Sequence, residues 1–272
     1  MFHRIFENAC PPDVSIGIRH QRLASQHCGR SVDLAAAPLP NDSIGLLEGL
    51  TSTRAIRRYD GTPIPHEALR AILFAASRAP SGSNRQPFRF IVLTDGPKAV
   101  EAKRLVASGA RLAWQAKRER DGYDRGSGVD LSSPKARLAR SMEHYVEHLH
   151  EAPALILPCL VRYRAPRLAE GASIYPACQN ILLAARALGY GGVLTEFQAL
   201  VEHELRELLR IPEEVAIAAS ITLGRPQGRH GPVRRRPLAE LVFEEEWERS
   251  AAWAIDPPGT QYTRAGPPRA RR

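Results

Sequence analysis

What this chain lacks narrows it first. Its 272 residues hold four cysteines, Cys10, Cys28, Cys159 and Cys178, far apart and without a C-x-x-C pair. A disulfide framework or a zinc ribbon needs closer spacing, so a reducing cytoplasm is the expected setting. Cys159 and Cys178 fall in apolar runs and read as buried, inert thiols. No apolar run approaches the roughly 18 residues of a membrane helix. The start, MFHRIFENACPPD, has no sustained apolar stretch of the kind a secretory signal carries. Aromatic residues make up 6% of the chain, and no RNA-stacking or zinc-finger motif accompanies the net charge of +9. Scattered arginine without such motifs argues against nucleic acid and leaves anionic small molecules as partners for part of that charge. Catalytic signatures are missing too. There is no G-x-x-x-x-G-K-[ST] loop and no G-x-S-x-G elbow. In "GYGGVL", Leu194 stands where the third glycine of a dinucleotide fingerprint belongs, and a strand follows rather than a helix.

What is present is an alternation of helix and strand patterns. Residues 1–42 keep no period and carry Pro, Ser and Gly, as a poorly ordered extension does; 43–256 form the folded domain, and 257–272 (PPGTQYTRAGPPRARR) read as a disordered basic tail. Pro65 opens a helix with Leu69, Ile72, Leu73 and Ala76 on one stripe, and Pro80 stops it. "FRFIVLT" (88–94), "ALILPCLV" (154–161), "GGVLTEF" (191–197) and "EVAIAASITLG" (214–224) read as strands. Residues 97–141 start helical and pass into a flexible loop at "DGYDRGSG", the sort of long loop that serves as a lid or binding loop. Ser173 reads as the cap of a helix through Leu188 that Gly189 ends, and 201–210 as a short amphipathic helix. The order predicts α/β or α+β with one sheet.

Three stretches hold candidate chemistry. "HYVEHLHEAP" (144–153) places His144, Glu147 and His148 in an H-x-x-E-H pattern, with both histidines on one helical face. A zinc hydrolase with Glu147 as base stands there against histidines that simply favour a helix C-terminus before Pro153. "TSTRAIRRYDGTPIP" (51–65) sets Arg54 and Arg57 three apart, two planar forks suited to a phosphate, or else solvated charges ahead of a helix. "APSGSNRQPFRF" (79–90) offers small side chains and free backbone donors at Ser81, Gly82, Ser83 and Asn84. Such a loop admits a ring or phosphate close to the main chain, or is an ordinary helix-to-strand turn.

In order, "TRAIRRYDGTPIP", "AILFAASRAPSGSNRQPFRFIVLTD", "SIYPACQNILLAARALGYGGVLTEF" and "ITLGRP…VRRRPLAEL" resemble the nitroreductase family over residues 50–243. The resemblance implies an α+β fold, a mixed, mostly antiparallel sheet flanked by helices, in an intertwined homodimer with FMN at the interface. It sets Arg54, Ala55 and Arg57 in the first flavin loop. Arg54 then meets the phosphate, and Arg57 the pyrimidine edge, where positive charge stabilises reduced flavin. Ser81, Gly82, Ser83 and Asn84 border the ring from the partner subunit. Leu194, Thr195 and Glu196 match the strand past the flavin N5, with a backbone N–H or the Thr195 hydroxyl as donor. Arg235 closes on the phosphate, with Arg236 as a second. The implied activity is an FMN-dependent NAD(P)H oxidoreductase. It takes hydride from NADH or NADPH and then reduces a nitroaromatic, quinone or similar acceptor in ping-pong fashion, without a metal, a membrane or a catalytic side chain. A flavin store or sensor without turnover is the alternative, and the zinc hydrolase a third. Two departures stand out: Thr53 and Ala55 replace a basic residue and a Ser, removing one phosphate hydroxyl contact, and 97–141 diverges where relatives shape the substrate cover.

Overall fold

The computed structural model of the protein describes residues 38–263. Its first elements are α1 (Leu46–Ser52), α2 (His66–Ser77) and β1 (Phe88–Leu93), followed by α3 (Pro97–Arg120), α4 (Pro134–His148) and β2 (Ala154–Val161). Then come α5 (Tyr175–Ala187), β3 (Gly191–Thr195), α6 (Glu202–Leu209), β4 (Val215–Ile217) and β5 (Ser220–Gly224). The strands form one sheet in the order β1-β2-β5-β3, with β4 also paired to β2, and every pairing is antiparallel.

β2 explains the layering. It is apolar at every position, as a strand covered on both faces must be, and successive side chains point to opposite faces. Leu155, Leu157 and Cys159 join one core with Val106 and Ala110 of α3, Tyr145 of α4 and Leu205 of α6. Ala154, Ile156 and Leu160 join the other, with Ile72 of α2 and Ile181 of α5. The sheet therefore lies between two helical layers, and the α+β expectation holds. Both thiols are buried as expected; burial pushes Cys159 up to about 11 and Cys178 up to about 12.

Several boundaries differ from the sequence reading for local reasons. The strand expected over 214–224 is two. Cys159 faces Ile217 whereas Ile156 faces Ile221, so four steps along β4–β5 oppose three along β2. The extra residue falls opposite Pro158, which has no N–H for the ladder, and the strand bulges there. Ser173 does not cap α5. It ends a 3₁₀ turn (Leu168–Ser173), and α5 starts two residues later with Pro176 in its first turn. Gly189 does end α5: at φ 80° it lets Tyr190 N–H reach Ala185 O at 2.8 Å. β3 stops at Thr195, two residues short of the expected end. In 97–141, two helices flank a loop of only residues 121–133. α1 was not foreseen. Residues 1–37 and 264–272, most of the expected extension and tail, and Cys10 and Cys28 with them, lie outside the described residues. Pro257 to Thr263 run beside the arginine segment, where Thr263 N–H donates to Arg235 O at 3.0 Å. Among the described residues no helix is long and apolar enough to cross a membrane.

Candidate functional site

The loop after α1 is pinned to β3. Ile56 is buried, and its N–H donates to Gly192 O at 2.9 Å. That approach needs glycine on the strand, because a Cβ at Gly191 would lie 2.5 Å from Ile56 Cγ1; one at Gly192 would lie 2.4 Å from Thr222 O of the neighbouring β5. With Ile56 facing in, Arg54 and Ala55 face out. A second segment is drawn alongside when Val233 N–H donates to Thr51 O at 3.2 Å. Between them opens a cavity of about 670 Å³, lined by Arg54, Ala55, Arg57, Arg137, Arg234 and Arg235 with Pro232, Val233 and Gln261. Five guanidinium groups meet there, and no carboxylate is among the lining residues. Like charges so gathered repel and are relieved by an anion.

Arg57 is the half-buried member, and its Nε is enclosed with no hydrogen-bond partner. Burial lowers its pKa; Tyr145 and Tyr59 oppose that, and Arg54 adds to it. A polar network lies behind it. Tyr59 OH donates to Ile56 O at 2.8 Å, and Thr222 Oγ1 lies 2.8 Å from both Tyr59 OH and Tyr145 OH. Because Tyr59 donates to the carbonyl, Thr222 donates to Tyr59 and Tyr145 donates to Thr222. Burial raises both phenols, Tyr59 well above its usual range and Tyr145 to about 12. Thr195 completes the network through Tyr145 and through Ser220, whose Oγ lies 2.8 Å away. The Thr195 hydroxyl thus turns into this network.

The remaining predicted residues fall into two groups. Leu194, Thr195 and Glu196 stand at the C-terminal end of β3, with Leu194 opposite Ile221 and Thr195 opposite Ser220. Ser81 and Gly82 line a different cavity from the arginines, between the loop after α2 and residues 160–173; Ser83 and Asn84 are exposed beside it. Arg236 pairs with Glu240 at 2.5 Å and does not line the arginine cavity. Arg137 does, although nothing in its sequence neighbourhood marks it; it follows the Ser133 cap of α4, whose hydroxyl accepts from Ala136 N–H at 3.0 Å. The histidines of "HYVEHLH" stack on each other at 4.2 Å, and His148 Nδ1 bonds to His144 O of its own helix at 2.8 Å. Among the described residues no group of three or more His, Cys, Asp or Glu is set to hold a metal.

Comparison with known proteins identifies the family. The model of the Nitroreductase family matches residues 50–225, which include the first arginine loop, the Ser81–Asn84 loop and β3. The chain belongs to the nitroreductase family. A Thermus thermophilus relative named NADH dehydrogenase is 32% identical over 195 residues, covering 70% of this chain and 91% of its own. The 5,6-dimethylbenzimidazole synthase of Rhodospirillum rubrum is 27% identical over 190 residues, 69% of this chain and 82% of its own, so nitroreductase-family relatives at this distance carry different chemistries. Among solved structures, a Desulfovibrio desulfuricans nitroreductase in complex with FMN superposes with a TM-score of 0.55 at 29% identity. It covers 75% of this chain and 99% of that one.

Proposed function

We propose that the protein is an FMN-dependent NAD(P)H oxidoreductase. The observation that carries this reading is the carboxylate-free cavity of five arginines beside β3, in a chain of the nitroreductase family. A phosphate dianion suits it: guanidinium forks offer paired donors and keep their charge at neutral pH. Arg54 and Arg235 would hold the phosphate, and the enclosed, unpartnered Nε of Arg57 would face the pyrimidine edge. The flavin would supply reversible two-electron chemistry, so the protein's own part is binding, orientation and charge. With the Thr195 hydroxyl turned toward Ser220 and Tyr145, the backbone N–H groups at the end of β3 are the better candidates for the N5 donor. One shared face for NADH or NADPH and for the acceptor gives ping-pong kinetics. The acceptor class starts from nitroaromatics and quinones, and the whole sequence of events takes place in the cytoplasm.

A homodimer completes this reading. The Ser81–Asn84 loop and the arginines belong to separate cavities of one chain, as two half-sites from two subunits would. The segment after Arg236 leaves Trp247 82% and Ile255 77% exposed, apolar surface that a second copy would cover. The test is an Arg54→Ala/Arg235→Ala double variant purified beside the parent, with visible spectra taken before and after anaerobic NADH or NADPH. A yellow parent that bleaches and a colourless variant support the reading. A variant that keeps its full FMN overturns the site. Flavin that neither nicotinamide reduces makes the protein a flavin store or sensor.

A further inference from the structure

A third cavity, of about 410 Å³, opens where the segment before α2, the end of β1, α3 and the start of β2 converge. It shares no lining residue with the arginine cavity or with the one beside Ser81. Its size falls in the range of small-molecule sites. Pro63, Ile64 and Pro153 give it apolar walls. Its charged residues carry both signs, and they are layered. Lys103 of α3 is only 7% exposed and forms the floor, whereas Asp95 and Glu151 are exposed at the rim.

An ammonium at that depth needs acceptors. Lys103 Nζ donates to Ala152 O at 2.9 Å, its one hydrogen-bond partner among the described residues. Two of its three protons are therefore left without a protein acceptor. Burial accordingly lowers its pKa, and Asp95 opposes that shift from a distance without bonding to it. Asp95 Oδ1 instead accepts from Thr94 Oγ1 at 3.0 Å. Glu151 meets His150 Nε2 at 3.8 Å, beyond hydrogen-bond length. Both rim carboxylates thus retain acceptor capacity. A simple acid would gain Lys103 but pass two like charges on the way in. A simple amine would gain the rim and face the ammonium below it. A molecule with its acid inward and its own ammonium outward satisfies both layers.

We propose that this cavity binds free α-amino acids with apolar side chains. The carboxylate meets Lys103, the ammonium sits between Asp95 and Glu151, and the side chain rests against Pro63, Ile64 and Pro153. The ligand is bound and not transformed, so the inference stands or falls apart from the proposed redox function.

Three compounds separate the two layers: L-leucine, 4-methylpentanoate, which lacks the amine, and 3-methylbutylamine, which lacks the acid. In calorimetric titration of the full chain, leucine is expected to bind at least about tenfold more tightly than either analogue, the worth of a charge-assisted pair. Glycine, without a side chain for the apolar walls, should bind more weakly than leucine. Asp95→Asn/Glu151→Gln, at two exposed positions, should bring the affinity ratio of leucine to 4-methylpentanoate to about one. Lys103→Met should weaken leucine by about tenfold or more; where that variant fails to fold, the exposed pair carries the test. An analogue that binds as tightly as leucine, or a preference that survives the rim substitutions, overturns the proposal. So does a folded Lys103→Met protein with unchanged leucine affinity, which places the ligand elsewhere. Silent titrations with all three compounds overturn it as well and leave Lys103 as a tether for Ala152.

Discussion

Arg57 is held between opposing demands. Ile56 must face the core to dock on β3, which carries Arg57 partly below the surface, and there its Nε has no partner. The exposed arginines of the cavity keep solvent; Arg57 gives part of it up and is most relieved when an anion arrives. His230 meets a similar conflict beside it. Burial first, then Arg186, then Arg54, hold its pKa below the ordinary imidazole value of 6.5, while Nε2 donates to Tyr190 O at 3.2 Å. The unfolded chain therefore takes up this proton near 6.5 and the folded chain only at lower pH. Stability contributed by neutral His230 is complete above that value and declines as pH falls through the window beneath it. Melting temperatures of the parent at pH 7.5 and pH 5 should differ by more than those of His230→Asn. An identical acid shift in both would remove His230 from the account.

At the scale of elements, β3 and β5 are tied to the arginine loop by groups no strand pattern would single out. Gly191 permits the contact, and Thr222 stands where two buried phenols need a partner. Thr222→Val keeps the volume and removes the hydroxyl, so Tyr59 and Tyr145 lose the group between them. Unsatisfied buried polar groups cost about 1–3 kcal/mol, and a loss of that size is expected in urea unfolding, with weaker FMN retention as Ile56 loosens. An unchanged midpoint would show that the two tyrosines find other partners. Much of this level was legible in the sequence. The Leu69, Ile72 and Ala76 stripe gave α2, and the unbroken apolar run gave β2, because helix and strand periods are local. The β4–β5 split was not, since Pro158 acts on it from another strand. Nor was the start of α5: Ser173 has a cap-forming hydroxyl, but that hydroxyl accepts from Gly82 N–H, 91 positions away.

For the whole molecule, the net charge of +9 is partly concentrated. Five arginines line one cavity and three more stand at another, where Arg162 is paired with Glu170, so part of the charge that composition leaves scattered is gathered in space. FMN and riboflavin differ only in the phosphate, which makes them a direct probe of the first. Flavin-free protein should bind FMN at least about tenfold more tightly than riboflavin in dilute buffer, and the gap should narrow in about 1 M salt as the exposed arginines are screened. Equal affinities, read by quenching of flavin fluorescence, would move the phosphate elsewhere.

Sequence by itself determined the helices and strands whose patterns are periodic and the family, and it singled out Arg54, Arg57, Arg235 and the Ser81–Asn84 loop as candidates. Tertiary structure alone decided which of these groups meet. Arg137 enters the cavity from α4, Arg236 turns away to Glu240, and Ser81 joins residues 160–173 rather than the arginines. The reason is that periodicity and motif spacing are properties of neighbours along the chain. Convergence depends on long-range contacts, among them Ile56 N–H to Gly192 O and Val233 N–H to Thr51 O. The first of them forms because Gly191 has no Cβ to collide with Ile56.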